Sequence, residues 1–206
     1  MNISLQNNPS LDFTKLGSIA LVGSSGCILN NEYGNIIDSH NTIIRFNAAR
    51  VVGFEKYVGS KTTIRIMNGH CFSGTTDKGR FEKNDPNYIS SLHGEHFFIK
   101  GYNAQEFHKG VLNNLNKNYI NFFSHEFMEK CDKYVIKHSS VGFMGLIMSV
   151  LYSNSISVFG FDHGEIENSK RHYWEKVNSV GQMHSFNDEK EIFKKYESEG
   201  TIKIYK

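Results

Sequence analysis

Short runs of apolar residues, rich in β-branched and aromatic side chains, recur along the chain and predict seven strands. Several runs are apolar at consecutive positions, which is typical of strands whose sheet is covered by helices on both faces. Helical patterns fall between them, so the sequence predicts a mostly parallel α/β sheet. The predicted strands are Ile19–Val22, Thr42–Phe46, Thr62–Met67, His96–Ile99, Tyr119–Phe123, Ile156–Phe161 and Thr201–Tyr205.

Two helices stand out in the same pattern. The stretch "VGFMGLIMSVLY", Val141–Tyr152, is apolar almost all round, which predicts a buried helix, and the two serines before it supply capping hydroxyls. A second helix is expected to begin near Asn187 or Asp188 and to stop at Gly200. Between the strands, Gly69–Ser91 is polar and contains glycine, which indicates a long loop or a lid.

Composition places few further limits on the protein. The chain of 206 residues contains no linker or composition shift, so we expect a single domain over residues 1–206. The net charge of +2 comes from scattered side chains, which disfavours a nucleic-acid partner. No apolar run is long enough to cross a bilayer, and the first residues lack the core of a signal peptide. We therefore expect a cytoplasmic protein without an integral membrane segment, peripheral at the membrane at most.

The cysteines and histidines show no metal or disulfide pattern. Cys27, Cys71 and Cys131 cannot all pair with one another and lack CxxC spacing, so we expect free thiols, with Cys131 buried as a small apolar residue. The histidines form neither HExxH nor a Cys/His zinc pattern. No metal site is expected.

A glycine turn follows the first predicted strand. Gly23 and Gly26 let the backbone approach a phosphate closely and present N–H groups to it. The full GxGxxG spacing is missing, and the second strand leads into Arg45 and Asn47 where a dehydrogenase carries an acid for the NAD ribose. The turn therefore favours a different nucleotide, and NAD bound to the purified protein would reverse that interpretation.

Several segments together resemble glycosyltransferase family 29, the eukaryotic-type sialyltransferases. The stretches "ALVGSSG", "YGNIIDSHNTIIRFNAA" and "VGFEKYVGSKTT" resemble the large sialyl motif. Further along, "SSVGFMGLIMSVLYSNSISVFGFD", Ser139–Asp162, resembles the small motif, and "HYWE" at His172 resembles the third. His184 and Glu189 fit the His-x4-Glu of the very short motif. The resemblance implies one Rossmann-like domain of the GT-A variant found in sialyltransferases.

The same resemblance implies transfer of sialic acid from CMP-sialic acid to a sugar hydroxyl of a glycan or glycolipid, with inversion and without metal or other cofactor. Histidine has its pKa nearest the pH at which a general base works, so we expect His184 to take the proton of the acceptor. His172 is expected to stabilise the leaving phosphate. The other expected donor contacts are Gly23, Ser24, Ser25, Asn47, Ser139, Ser140, Gly142 and Gly160.

Three features depart from the family pattern. Ser24 stands where the family carries an asparagine that contacts the donor. Ile19 and Ser153 occupy the two positions that the family joins by a disulfide, and loss of both halves suits a reducing cytoplasm. The chain is also small for the family, which favours a bacterial or viral member.

Some charged residues are expected to support the motifs. Arg45, Asp38 and the residues of "VGSKTT" are expected to brace the motif loops more than to touch the donor, since buried charges need partners. Glu189 is expected to orient the junction before the last helix or to influence the imidazole of His184.

Two further functions stay open. A transferase of the same family that uses CMP-Kdo carries out the same chemistry, and no motif separates the two donors. A non-catalytic domain that binds a nucleotide sugar is favoured by Ser24 and opposed by the presence of both His172 and His184.

Overall fold

The computed structural model describes residues 11–68, 96–101, 120–163, 170, 172–174 and 185–206. The strands within these ranges are β1 (Ile19–Val22), β2 (Thr42–Phe46), β3 (Ile64–Asn68), β4 (His96–Lys100), β5 (Ile120–Phe122), β6 (Ile156–Phe159) and β7 (Ile202–Tyr205). They form one seven-stranded sheet in the order β5-β4-β3-β2-β1-β6-β7. Every neighbouring pair is parallel, which confirms and sharpens the predicted fold class.

All seven predicted strands are present, because their apolar β-branched residues match a sheet that is covered on both sides. The strand predicted as Ile156–Phe161 ends earlier, at Phe159. Gly160 follows it with φ +68°, a left-handed conformation that leaves the sheet.

Five α-helices lie in the described ranges: α1 (Gly34–Asp38), α2 (Glu55–Val58), α3 (His125–Asp132), α4 (Val141–Tyr152) and α5 (Phe186–Ser198). The predicted bounds of α4 are confirmed, and Ser140 caps it through a hydrogen bond from the N–H of Phe143 to its hydroxyl (3.0 Å). α5 begins one residue before Asn187, and Gly200 follows it with φ +72°. The first three helices were not predicted. α1 and α2 are too short to show a helical period.

Two apolar cores cover the two faces of the sheet, since alternate residues of each strand point to opposite sides. On one face, α4 packs against β1, β2 and β3, and the core includes Ile19 and Leu21. On the other face, Ala20 and Val22 pack with residues of α1, α2 and β6. Cys131 lies fully buried in the first core, and burial raises the pKa of its thiol to about 12, as expected for a small apolar residue.

The chain changes direction across the sheet beside β1. β2 to β5 lie on one side of β1, whereas β6 and β7 lie on the other. Ligands of open α/β sheets bind outside the carboxyl ends of the strands at such a switch point. This edge of the sheet carries the glycine turn after β1 and Gly160 after β6.

Some sequence predictions fall elsewhere in the chain. The polar segment Gly69–Ser91, Cys71 and His184 lie outside the described residues. No helix within the described ranges is long and apolar enough to cross a membrane. In the same ranges, no group of three or more His, Cys, Asp or Glu side chains could hold a metal ion.

Candidate active site

The turn after β1 is joined to the end of β6 by backbone contacts. The N–H of Gly23 donates to the carbonyl of Phe159 (2.7 Å), and the N–H of Ser25 donates to the carbonyl of Gly160 (3.1 Å). A Cβ atom on Gly23 would lie 2.3 Å from the Gly160 oxygen, closer than atoms can approach. Close packing of the two loops therefore requires glycine at position 23, whatever ligand the turn holds. We call this contact between the two loops the glycine crevice.

The ring of Phe161 connects this crevice to two other motif segments. A Cβ on Gly23 would lie 2.7 Å from the Phe161 ring, and a Cβ on Gly142, in the first turn of α4, would lie 2.9 Å from it. The ring also meets Phe46, at the end of β2, edge to face with centroids 5.8 Å apart. Sequence reasoning missed Phe161; the aromatic residue directly after the glycine of "VFGFD" was the available signal.

The "HYWE" segment is attached to the same crevice. The N–H of Tyr173 donates to the carbonyl of Ser24 (2.9 Å), and its hydroxyl donates to the carbonyl of Arg50. Tyr173 is only 2% exposed, so it anchors the segment. His172 lies next to this anchor, and its ring stacks on that of Trp174 with centroids 4.8 Å apart. The structure therefore brings His172 to the glycine crevice.

Asn47 follows β2 at the same edge of the sheet. Its φ is +49°, a left-handed conformation that asparagine tolerates better than most residues. Its side-chain oxygen accepts from the N–H of Asn68 (2.9 Å), and its carbonyl accepts from Arg65 (2.8 Å). The scaffold thus fixes the side-chain amide of Asn47 at this edge of the sheet. Arg65, fully buried, is a supporting residue that sequence reasoning missed.

The predicted bracing role of Arg45 and Asp38 is confirmed. Arg45 is fully buried and donates to the carbonyls of Gly59 (3.2 Å) and Lys61 (2.8 Å). Asp38 accepts from the N–H groups of Ser60 (2.8 Å) and Lys61 (3.1 Å). Burial disfavours the charge of Asp38, but these hydrogen bonds hold its pKa below the ordinary value.

A second group of contacts surrounds Ser139 and Ser140, which precede α4. Ser139 is fully buried, and its N–H and hydroxyl both donate to Asp132 Oδ1, at 2.8 and 2.6 Å. Its carbonyl accepts a hydrogen bond from Lys100 Nζ, at the end of β4. Ser139 thus supports the turn from behind. We call Ser139 and Ser140 the serine turn.

Glu189 of α5 holds the other residue of the serine turn. The N–H and the hydroxyl of Ser140 donate to the two carboxylate oxygens of Glu189, each at 2.7 Å. Glu189 is only 2% exposed. Burial raises its pKa, against the opposing effect of the Ser140 hydrogen bonds and of Lys100. The predicted orienting role of Glu189 therefore takes the form of a link between the start of α5 and the start of α4.

The buried charges around the serine turn influence one another. Burial disfavours the charge of Asp132, but hydrogen bonds from Ser139 and His138 keep its pKa below the ordinary value. Burial lowers the pKa of Lys100, and the carboxylates of Asp132 and Glu189 oppose that effect. A sequence signal existed only for Glu189, because Lys100 and Asp132 belong to no matched motif.

The structure thus gathers most of the predicted site residues at one edge of the sheet. Gly23, Ser24, Ser25, Gly160 and His172 lie at the glycine crevice. Gly142 reaches it through Phe161, and Asn47 follows Phe46, which touches the same ring. Contact of these residues with a donor stays a prediction.

Comparison with known proteins connects this arrangement to a family. The sequence model described as glycosyltransferase family 29 (sialyltransferase) matches residues 4–201. The β-1,6-galactosyltransferase GALT29A of Arabidopsis thaliana is 28% identical over 211 residues, which cover 88% of this chain and 51% of that enzyme. Human β-galactoside α-2,6-sialyltransferase 2 is 57% identical over 53 residues, 26% of this chain and 10% of the enzyme. The chain spans about half the length of the plant relative.

Solved structures share the fold. The crystal structure of a mammalian sialyltransferase superposes with a TM-score of 0.67 at 20% identity, over 92% of this chain and 68% of that one. A second crystal structure, of a mammalian sialyltransferase in complex with Gal-β-1-3GalNAc-ortho-nitrophenol, gives the same TM-score of 0.67 over 97% of this chain and 72% of that one. The sialyltransferase type of parallel sheet, predicted from the motifs, is confirmed.

Proposed function

Because the chain belongs to glycosyltransferase family 29, we propose that it transfers sialic acid from CMP-sialic acid to a sugar hydroxyl of a glycan or glycolipid. The observation that carries the proposal is the convergence of three motif segments at the switch point. Tyr173 bonds to Ser24, and Phe161 packs against both Gly23 and Gly142. A nucleotide sugar at the carboxyl ends of β1 and β6 would meet all three segments.

The proposed reaction inverts the anomeric carbon in one displacement and needs no metal. The acceptor oxygen forms a bond to that carbon as the bond to the CMP phosphate breaks. His184 takes the acceptor proton as general base, and CMP leaves with the bonding electron pair. The negative charge of the departing CMP phosphate is stabilised by His172 and by the first turn of α4, where backbone N–H groups favour an anion.

In this proposal, the serine turn and the first turn of α4 have different roles. The N–H of Ser140 already donates to Glu189, and the N–H of Phe143 already donates to the Ser140 hydroxyl. Among the described residues, nothing accepts from the N–H groups of Val141 and Gly142. These two donors are therefore the ones we assign to the phosphate, while Ser139 and Ser140 hold the turn.

A galactosyl transferase is the second candidate. The plant galactosyltransferase matches 88% of this chain, whereas the human sialyltransferase matches a segment of only 26% at higher identity. The long match favours galactose as the transferred sugar, and the short match at higher identity favours sialic acid. Transfer of Kdo from CMP-Kdo and a non-catalytic binding role also stay open.

The expectation of a bacterial or viral origin stays a prediction.

The proposal can be tested by release of the nucleotide. CMP-N-acetylneuraminic acid, CMP-Kdo and UDP-galactose are supplied separately with mixed galactoside acceptors, to the wild type and to His184→Ala. We expect acceptor-dependent release from CMP-N-acetylneuraminic acid, lowered by about 100-fold or more in the variant because the general base is gone. His125→Ala is the matched control, since that histidine lies on α3 with its side chain 64% exposed.

Each contrary outcome points to a different function or a different base. Turnover of UDP-galactose alone establishes the galactosyl transferase, and turnover of CMP-Kdo alone establishes that donor. CMP binding without turnover of any donor supports the non-catalytic role. An active His184→Ala variant removes this residue as the base.

A further inference from the structure

Lys100 is a lysine placed among buried groups, outside every matched motif. It ends β4, at the same edge of the sheet as the glycine crevice. Its ammonium group donates to the carbonyl of Ser139, and it interacts with the charges of Asp132 and Glu189. A flexible surface lysine gains little from such contacts, whereas a half-buried one is held by them.

The carboxylates at the serine turn would repel an anion bound there. Asp132 and Glu189 each bond to this turn through a carboxylate, and Glu189 takes donors at the very start of α4. A phosphate at the first turn of α4 would meet these negative charges at short range. Lys100 is a cation that bonds directly to the turn, and it reduces the repulsion while holding the Ser139 carbonyl.

Within the described ranges, the other titratable groups around Glu189 do not supply that charge. Asp188, on the same helix, adds negative charge. On α3, Asp132 is a carboxylate, and Cys131 is a buried thiol. His138 bonds to Asp132 Oδ2 (3.2 Å), but its side chain is 79% exposed, so water weakens its electrostatic effect on the turn.

We propose that Lys100 is a positioning residue for the donor phosphate, acting through the serine turn and through the charge of Glu189. The inference rests on the proposed function, because it takes the ligand of the turn to be the phosphate of a nucleotide. It assigns a role to a residue that the motifs do not include. Its particular consequence is that Lys100 matters for CMP and not for cytidine, which lacks the phosphate.

The test is calorimetric binding of CMP and of cytidine to the wild type and to three variants. We expect Lys100→Met to weaken CMP binding by about 10- to 100-fold and to leave cytidine binding within about twofold. Adding Glu189→Gln to Lys100→Met removes a negative charge and is expected to recover most of the CMP affinity. Lys100→Arg keeps the positive charge and should keep CMP affinity within about threefold.

Lys203→Met is the matched control, since Lys203 is an exposed strand lysine on β7 at the far side of the sheet. Unchanged CMP affinity in Lys100→Met overturns the inference, and so does an equal loss for CMP and cytidine, which indicates a purely structural role. If Lys100→Met does not fold, Lys100→Arg decides, because weak CMP binding there contradicts the charge argument. A wild type that binds neither ligand overturns the proposed function itself.

Discussion

The glycine crevice and the serine turn lie at the same edge of one sheet but are held together by different forces. At the crevice, backbone groups bond directly, as between Gly23 and Phe159, and the loops approach so closely that a Cβ has no room. At the serine turn, side chains of Lys100, Asp132 and Glu189 hold the backbone. The first region is therefore sensitive to volume, and the second to charge.

This difference suits the parts of a nucleotide sugar that the two regions are proposed to meet. Uncharged backbone contacts keep their strength at every pH at which the protein folds, so they suit a rigid surface against which the nucleotide packs. Charged side chains respond to an added anion, so they suit the place where a phosphate leaves. Changes of volume and changes of charge should therefore affect the two regions differently.

The largest expected effect is that of Gly23→Ala. Its new Cβ meets a backbone oxygen at 2.3 Å, and the variant should lose about 3 kcal/mol of unfolding free energy in urea denaturation. Gly142→Ala is the matched variant, because its Cβ meets the Phe161 ring at 2.9 Å and a ring can shift. We expect about 1 kcal/mol there. Equal losses would break the claim that backbone contact makes the crevice rigid.

A smaller effect is expected from the capping serines of the two regions. Ser140→Ala removes the cap of α4 and a hydrogen bond to buried Glu189, so it should cost about 2 kcal/mol. Ser25→Ala removes the long hydrogen bond from the N–H of Cys27 to the Ser25 hydroxyl (3.3 Å) and should cost about 0.5 kcal/mol. Thermal unfolding of both variants checks the order. A larger loss for Ser25→Ala would show that the crevice also depends on side chains.

The smallest expected effect is a change of stability with pH. Burial raises the pKa of Glu189 in the folded protein above its ordinary value of 4.5, so its contribution is present below that value and lost as pH rises through the folded pKa. Glu189→Gln should therefore gain stability relative to the wild type as the pH rises above 4.5, as measured by urea denaturation.

Two variants control this pH trend. Asp38→Asn should show the opposite sign, because the folded pKa of Asp38 is lowered and its contribution is lost as pH falls through that pKa. Gly23→Ala should differ from the wild type by the same amount at each pH. A flat difference for Glu189→Gln would contradict the importance of charge at the serine turn.

Much of the fold could be predicted, and less of the site. The strands and α4 were predictable because their apolar residues carry a local pattern, and Ser140 indicated the start of α4. Phe161 was missed because its importance lies in contacts with Gly23 and Gly142, which no local pattern encodes. Lys100 was missed because the carbonyl that it binds is 39 residues away along the chain.

The sequence by itself determined the strands, the helices α4 and α5, the order of the motifs and the absence of an acid after β2, since each depends on neighbouring residues. Only the tertiary structure decided which motif residues meet. It placed Gly23 in close contact with Gly160, and it placed Glu189 where it accepts a hydrogen bond from Ser140, 49 residues earlier in the chain. The physical reason is that steric fit and buried charge depend on distances in space, which the chain sets only when parallel strands bring remote segments to one edge of the sheet.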